Sequence, residues 1–170
     1  MVRHTLADTG PKLVSSRMVR EYVTSLYVPA AVISRALAGD GFAAARGLSE
    51  WRGRVTKAWP SVAVRHVEAT GRDLPVMGDR IAVRAIVDLG ALLPGDVEVQ
   101  AAYGRVDESD AISGSEHVVL EVAGEHDAGE WRYEGEIPLQ LTGSFGYTVR
   151  VLPKHTSLVA LAELGLVASA

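Results

Sequence analysis

The sequence lacks several features that would each point to a class of function. It has no cysteine among its 170 residues, which excludes disulfide bonds and thiolate metal sites. No uninterrupted apolar run approaches the roughly 20 residues needed to span a bilayer, and residues 1–10 lack the apolar core of a signal peptide. The net charge of −4 provides no basic field for nucleic acids. We therefore expect a cytoplasmic protein without nucleic-acid or membrane partners.

Motifs that carry catalysis or bind metals are also missing. There is no G-x-S-x-G sequence of a serine nucleophile, and no two of the five histidines have the spacing of a pair on one helix face. Glu125-His126-Asp127 lies in a polar turn, where solvated charge is the simpler interpretation than a metal site, which needs three or four converging ligands. The acidic segment Asp107–Asp110 lacks the glycine and closing glutamate of a calcium loop. We predict no catalytic, cofactor-binding or metal-binding residue.

The first part of the chain has the apolar spacing of helices. A first helix is predicted from Lys12 to Leu37, with Pro29 kinking or breaking it near Val28 because proline removes a backbone donor. A second helix is predicted over Phe42–Trp59 and ends at Pro60. The apolar stripe of the first helix consists of Met18, Tyr22, Leu26, Tyr27, Ile33 and Leu37, and that of the second consists of Leu48, Trp51, Val55 and Trp59.

From Val62 onward the apolar residues alternate with polar ones, which is the pattern of half-buried strands. Six or seven short strands separated by turns indicate an antiparallel sheet structure, since parallel strands are apolar on both faces. The sequence therefore predicts an α+β fold, in which two helices precede an immunoglobulin-like β-sandwich. The predicted divisions are a helical segment over 1–60, the sandwich over 61–154 and a C-terminal tail over 155–170.

Several stretches resemble one known family. The sequence R-M-V-R-E-Y-V-x-x-L-Y-x-P-A over Arg17–Ala30 resembles the end of the catalytic part of bacterial α-glucan (glycogen or maltodextrin) phosphorylases of the actinobacterial type. W-R-G-R-V-T-K-A-W-P-S-V over Trp51–Val62 and T-V-R-V-L-P-K-H over Thr148–His155 agree with this, as does Glu163–Val167. The resemblance covers most of the chain in the same order, and it implies a C-terminal accessory region.

The resemblance also implies what the parent enzyme does. These phosphorylases release glucose 1-phosphate from the end of an α-1,4-glucan, and a lysine holds their pyridoxal phosphate as a Schiff base. Lys12, Lys57 and Lys154 are the three lysines here, and none lies in a Gly/Ser-rich motif. The cofactor is therefore expected in the parent enzyme and not in this chain, which should be inactive alone. The implied partners are the catalytic lobes of the parent, and the first helix could also promote self-association.

A different class of function remains open, namely a stand-alone sandwich module that binds carbohydrate or protein. Sugar binding by stacking needs exposed aromatic rings, and the candidates are Trp131, Tyr133 and Phe145. Trp131 and Tyr133 alternate in register with Ile137, so a place in the core is the simpler interpretation. Phe145 is predicted to lie in a turn, where that argument does not apply. Contact of these three residues with an α-glucan is therefore a hypothesis.

Overall fold

The computed structural model describes residues 15–71, 78–109, 111–140 and 143–170. The chain divides into two compact units, Met1–Glu50 and Trp51–Ala170. No helix within the described ranges is long and apolar enough to cross a membrane.

The helical part begins with α1 (Ser15–Tyr22), which continues through a π turn (Val23–Tyr27) into α2 (Val28–Ala38). A 3₁₀ turn (Asp40–Phe42) then leads into α3 (Ala43–Ala58). Asp40, Gly41 and Phe42 all have positive φ values, so regular helix is interrupted between Ala38 and Ala43. The predicted start of the first helix at Lys12 lies outside the described residues.

The helix continues past Pro29, near which the sequence predicted a kink or a break. Pro29 occupies the first turn of α2, where its missing N–H is not needed. The preceding π turn is closed by the Val28 N–H, which donates to the carbonyl of Val23, five residues back. The Thr24 hydroxyl donates to the Arg20 carbonyl at 2.8 Å and satisfies an acceptor at this irregular turn. The helix therefore accommodates proline by widening one turn and not by ending.

Seven strands form one antiparallel sheet in the described part of the chain, in the order β1-β2-β5-β4-β3-β6-β7. β1 also approaches β6 and β7, so the sheet curls back on itself. This confirms the α+β prediction of two helices followed by a sandwich-like antiparallel sheet. The strands are β1 (Ala63–Thr70), β2 (Arg80–Asp88), β3 (Val97–Val106), β4 (Ile112–Asp127), β5 (Glu130–Pro138), β6 (Phe145–Pro153) and β7 (Ala168–Ser169).

The strand β4 joins the two halves of the sheet because it changes partner along its length. It pairs with β3 as far as Leu120 and with β5 from Glu121 onward. Gly135 of β5 allows this close crossing, since a Cβ there would lie only 2.7 Å from the Leu120 side chain. Within β4, apolar alternation is visible in the sequence only at Val118, Leu120 and Val122, because the ends of the strand are exposed.

The core lies between the inward faces of the strands and the second half of α3. Trp51, Val55 and Trp59 are buried, so the apolar stripe predicted for the second helix is confirmed at these positions. The C-terminal residues also belong to the sheet, because β7 pairs with β6. The fully buried side chains of the strands include Val83, Val87, Val99, Leu120, Ile137, Val149 and Val151.

Candidate functional site: the Asp96 cluster

The most connected polar group of the second unit is the carboxylate of Asp96. It ends the 3₁₀ turn Pro94–Asp96, directly before β3. The Trp51 indole N–H donates to its Oδ1 at 2.9 Å, and two guanidinium nitrogens of Arg54 donate to its two oxygens at 2.8 Å each. Trp51 and Arg54 are three residues apart on α3, so a single helix face presents both donors.

The surroundings of Asp96 keep its side chain ionised. The residue is 7% exposed, and its carboxylate also accepts the backbone N–H of Leu93 at 3.0 Å. The pKa of the Asp96 carboxyl is lowered to about 2, first because Arg54 donates to it and further because the Leu93 N–H and the Trp51 indole do so. Hydrogen bonds to a charged acceptor outweigh the opposing effect of burial here. Asp96 therefore acts as a fixed anion that ties α3 to the start of β3.

The segment after β6 completes the cluster. The backbone N–H of Lys154 donates to the Asp96 carbonyl at 2.8 Å, and the rings of His155 and Trp51 lie 4.7 Å apart with a 42° tilt. His155 Nδ1 accepts the backbone N–H of Ser157 at 3.1 Å, which fixes the ring. The W-R-G-R and L-P-K-H motifs, separated by almost a hundred positions, thus meet at one aspartate. The sequence singled out both motifs but not Asp96.

A polar row extends from the cluster along β3. Lys154 Nζ lies 3.2 Å from a Glu98 oxygen, and the Gln100 amide donates to the other Glu98 oxygen at 2.7 Å. Arg150 Nε in turn donates to the Gln100 carbonyl oxygen at 3.0 Å. Gln100 is only 2% exposed, so β3 is buried on both faces at this point. The alternation Val-Glu-Val-Gln in β3 is typical of a strand with one solvated polar face. No sequence signal distinguished such a strand from one that is covered on both faces.

This arrangement is suited to holding elements together. Its donors and acceptors are paired with one another, and none of its members is a nucleophile with an adjacent base. The nearest cavity measures about 80 Å³ and is lined by Lys154, Glu98 and Tyr133, among others. Ligand pockets for small molecules usually measure about 300–1,000 Å³. The cluster is therefore a structural clamp.

The described lysines do not fit a pyridoxal phosphate site. The ammonium group of Lys154 is engaged by Glu98 at the small cavity. Lys57 is exposed on α3. A Schiff-base lysine must instead be free and neutral within a pocket that encloses the cofactor. No reaction step through that cofactor is derived for these residues.

The three aromatic residues proposed for sugar contact lie in different surroundings. Tyr133 is 3% exposed, and burial raises the pKa of its hydroxyl to about 12. Trp131 is half-buried on the same inward face of β5, opposite the buried Val87. Phe145 does not lie in a turn as predicted but begins β6, half-buried, with its ring 6.0 Å from that of Tyr103. The three rings therefore do not share one exposed platform.

The acidic segments considered for metals are exposed where the structure describes them, and Asp110 lies outside the described residues. Glu125, His126 and Asp127 are exposed, and they belong to the end of β4 and not to a turn as the sequence predicted. The Asp107 carboxylate accepts hydrogen bonds from Ser109 and Ala111 and so closes its own loop. No group of three or more metal-ligating side chains that could hold an ion occurs in the described ranges.

The outward face of β1, β2 and β5 carries two cavities, of about 300 and 370 Å³. Arg84 lies between Glu68 and Glu134 at 2.7 and 2.8 Å, and Arg65 binds Asp88 at 2.6 Å. These cations already have carboxylate partners, and exposed pairs of this kind contribute little stability. This face is a ladder of solvated ion pairs.

The geometry defines a β-rich accessory domain clamped to the helix that precedes it. The chain matches the glycogen phosphorylase C-terminal domain family over residues 59–170 and belongs to that family. The resemblance found in the sequence is thereby confirmed.

The relatives agree with this assignment. The chain is 46% identical over 168 residues to the glycogen phosphorylases of Mycobacterium tuberculosis and Mycobacterium bovis. It is 29% identical over 170 residues to the maltodextrin phosphorylase of Thermococcus litoralis. Each match covers 98% of this chain but only 20% of the relative, so the chain spans about a fifth of their length. No solved structure matches.

Proposed function

We propose that this chain is the C-terminal accessory region of an α-glucan phosphorylase. The parent enzyme would transfer terminal α-1,4-glucosyl units to phosphate in the cytoplasm and release glucose 1-phosphate. Its pyridoxal phosphate would be held elsewhere in the polypeptide. One observation carries this proposal: almost the whole chain matches the phosphorylases, yet it accounts for a fifth of their length.

The two units would contribute differently to that enzyme. The sheet, clamped through Asp96, would be a stable module at the end of the polypeptide. The helices would belong to the catalytic lobes, which would be the principal partner of this chain. The predicted domain limits at residues 60 and 154 stay a prediction. The described helical residues before Trp51 include no buried side chain, which supports a role that requires a partner.

A full-length hybrid tests the proposal. The segment of the M. tuberculosis glycogen phosphorylase that matches this chain is replaced by this chain, and release of glucose 1-phosphate from glycogen and phosphate is measured. We expect activity within about tenfold of the parent, because 46% identity preserves the fold. The same enzyme truncated before the matched segment is the control and should be inactive or unstable.

The 170-residue chain alone should neither release glucose 1-phosphate nor retain pyridoxal phosphate after dialysis. Maltodextrin titration of the isolated chain tests the alternative of a carbohydrate-binding module. Saturable binding that is lost in Phe145→Ala or Trp131→Ala, with unchanged thermal stability, would favour that alternative. An inactive hybrid that folds normally would count against the accessory role.

A further inference from the structure

The helical part of the chain carries a continuous exposed apolar surface, which we call the α1 patch. The patch consists of two ridges of residues spaced four apart, and all six side chains are between 40% and 64% exposed. One ridge contains Met18, Tyr22 and Leu26, and the other contains Val19, Val23 and Tyr27. An apolar surface of this kind on a soluble domain marks an interaction site.

The π turn keeps the side chains of each ridge on the same side of the helix. In an uninterrupted α-helix, residues eight apart differ by about 80° around the axis, because there are 3.6 residues per turn. Leu26 would then turn away from Met18, and Tyr27 would turn away from Val19 by the same angle. The wider turn over Val23–Tyr27, closed by a hydrogen bond across five residues, reduces that rotation. The last two members of the patch thus stay on the same side as the first two.

The opposite side of the helix is polar. Arg17 and Glu21 approach to 3.6 Å, and the Thr24 hydroxyl donates to the Arg20 carbonyl. The polar contacts that support the π turn therefore lie away from the patch. This separation leaves the apolar side free to bind a partner without disturbing the turn.

The position of the patch in the relatives indicates what covers it. The C-terminal domain family matches from residue 59 onward, whereas the match to the phosphorylases covers 98% of the chain. The helix with the patch therefore corresponds to the part of those enzymes that precedes their C-terminal domain. About four-fifths of their polypeptide lies outside the match and offers surface for it.

We propose that the π turn aligns the α1 patch into one docking face for the polypeptide that precedes this region in the phosphorylases. This inference rests on the proposed function. The occupant is an apolar surface of the catalytic body, and the Val23–Tyr27 turn determines which side chains reach it. The turn is thus a register device, equivalent to one extra residue in the helix.

The test uses the full-length hybrid described above and amide hydrogen exchange over Ser15–Tyr27. In the hybrid, exchange should be at least about tenfold slower than in the 170-residue chain. Leu26→Asp should abolish most of this protection, whereas Ser25→Asp, the neighbouring residue on the polar side, should leave it within about twofold. Equal protection in both variants would show that the patch is not the docking face.

A second variant tests the register. Thr24 is deleted and Pro29 is replaced by Ala, which removes one residue together with the proline that favours the wide turn. An ordinary α-helix then places Leu26 and Tyr27 back on the patch, so protection should stay within about threefold of the parent hybrid. Loss of protection by more than tenfold would overturn the register role.

The outcomes separate this inference from the proposed function. An active hybrid with unprotected α1 amides would leave the accessory role standing and reject the docking face. An inactive hybrid with protected α1 amides would reject the accessory role and leave the docking face standing. Self-association of the isolated chain that protects the same amides equally would assign the patch to a second copy and also reject the proposal.

Discussion

Residues 15–50 and residues 51–170 differ in how far they bury their apolar side chains. No described residue of the first range is buried, although it contains Met18, Leu26 and Phe42 at 48–59% exposure. In the second range, strands from all parts of the sequence bury Val83, Leu120 and similar residues almost completely. Isolated helices of this length are marginal in water, because most helical stability comes from tertiary packing.

Amphipathic pattern and burial are therefore separate properties of a segment. Both regions have regular apolar spacing, and both form the elements that this spacing predicts. The sheet and the second half of α3 bury their apolar side within the chain, whereas no described helical residue before Trp51 is buried. An apolar pattern shows which side of a helix or strand will pack against other residues, but it does not show where those residues come from. Matched substitutions in the two regions therefore test the comparison.

The largest effect is expected in the sheet, at Tyr133. Tyr133→Ala should lower the free energy of unfolding by about 3–5 kcal/mol, since it removes a buried aromatic ring. Tyr133→Phe should cost less than about 1 kcal/mol, because the buried hydroxyl has no hydrogen-bond partner within the described residues. Denaturant unfolding of the isolated chain measures both. A large loss in the Phe variant would reveal a partner for that hydroxyl.

The next effect concerns the clamp. Asp96→Ala should cost about 2–4 kcal/mol, because it leaves the Trp51 indole and the Arg54 guanidinium without their acceptor. Asp88→Ala is the matched control, since it removes a carboxylate from the more exposed pair with Arg65 and should cost about 1 kcal/mol or less. If both variants unfold at the same denaturant concentration, the Asp96 cluster is no more than another surface ion pair.

The acid limb of the stability curve should reveal the same clamp with a smaller amplitude. The folded pKa of Asp96 is about 2, against an ordinary value of 3.8, so its contribution is complete above about pH 4 and is lost as the pH falls toward 2. Since one pKa unit corresponds to about 1.4 kcal/mol, the contribution is about 2 kcal/mol at most, and the half-exposed Arg54 reduces it. Asp96→Asn should flatten this limb between pH 4 and 2. An unchanged limb would indicate that other carboxylates dominate acid unfolding.

Much of the fold could be predicted because local patterns determine it. The alternation of Ile81, Val83, Ala85 and Val87 with Arg80, Arg84 and Asp88 indicated β2 and its inward face. The helical stripe of Trp51, Val55 and Trp59 likewise identified the buried side chains of α3 and of the 3₁₀ turn that follows it. These features depend on periodicity, which the sequence displays without reference to distant residues.

The features that the sequence missed depend on distant residues. Nothing near Asp96 shows that Trp51 and Arg54 will reach its carboxylate from 45 and 42 positions away. Gln100 alternates like an exposed residue and is buried only because β3 is covered on both faces. A π turn precedes Pro29 and the Thr24 hydroxyl donates within it, whereas the sequence predicted only a kink or a break near Val28. The sequence therefore showed the two motifs of the candidate site but not that both of them contact Asp96.

The smallest effect on the free energy of unfolding is expected at Leu26 in the isolated chain. Leu26 is 52% exposed, so Leu26→Ala should change the free energy of unfolding of the 170-residue chain by less than about 0.5 kcal/mol. In the full-length hybrid, the same substitution should cost about 2–3 kcal/mol if the catalytic body buries the side chain. Denaturant unfolding of the two proteins, followed by tyrosine and tryptophan fluorescence, gives both values. Arg20→Ala, on the polar side of α1, is the control and should be nearly neutral in either context. A substantial cost already in the isolated chain would mean that the helices are packed within it, and the contrast between the two regions would then disappear.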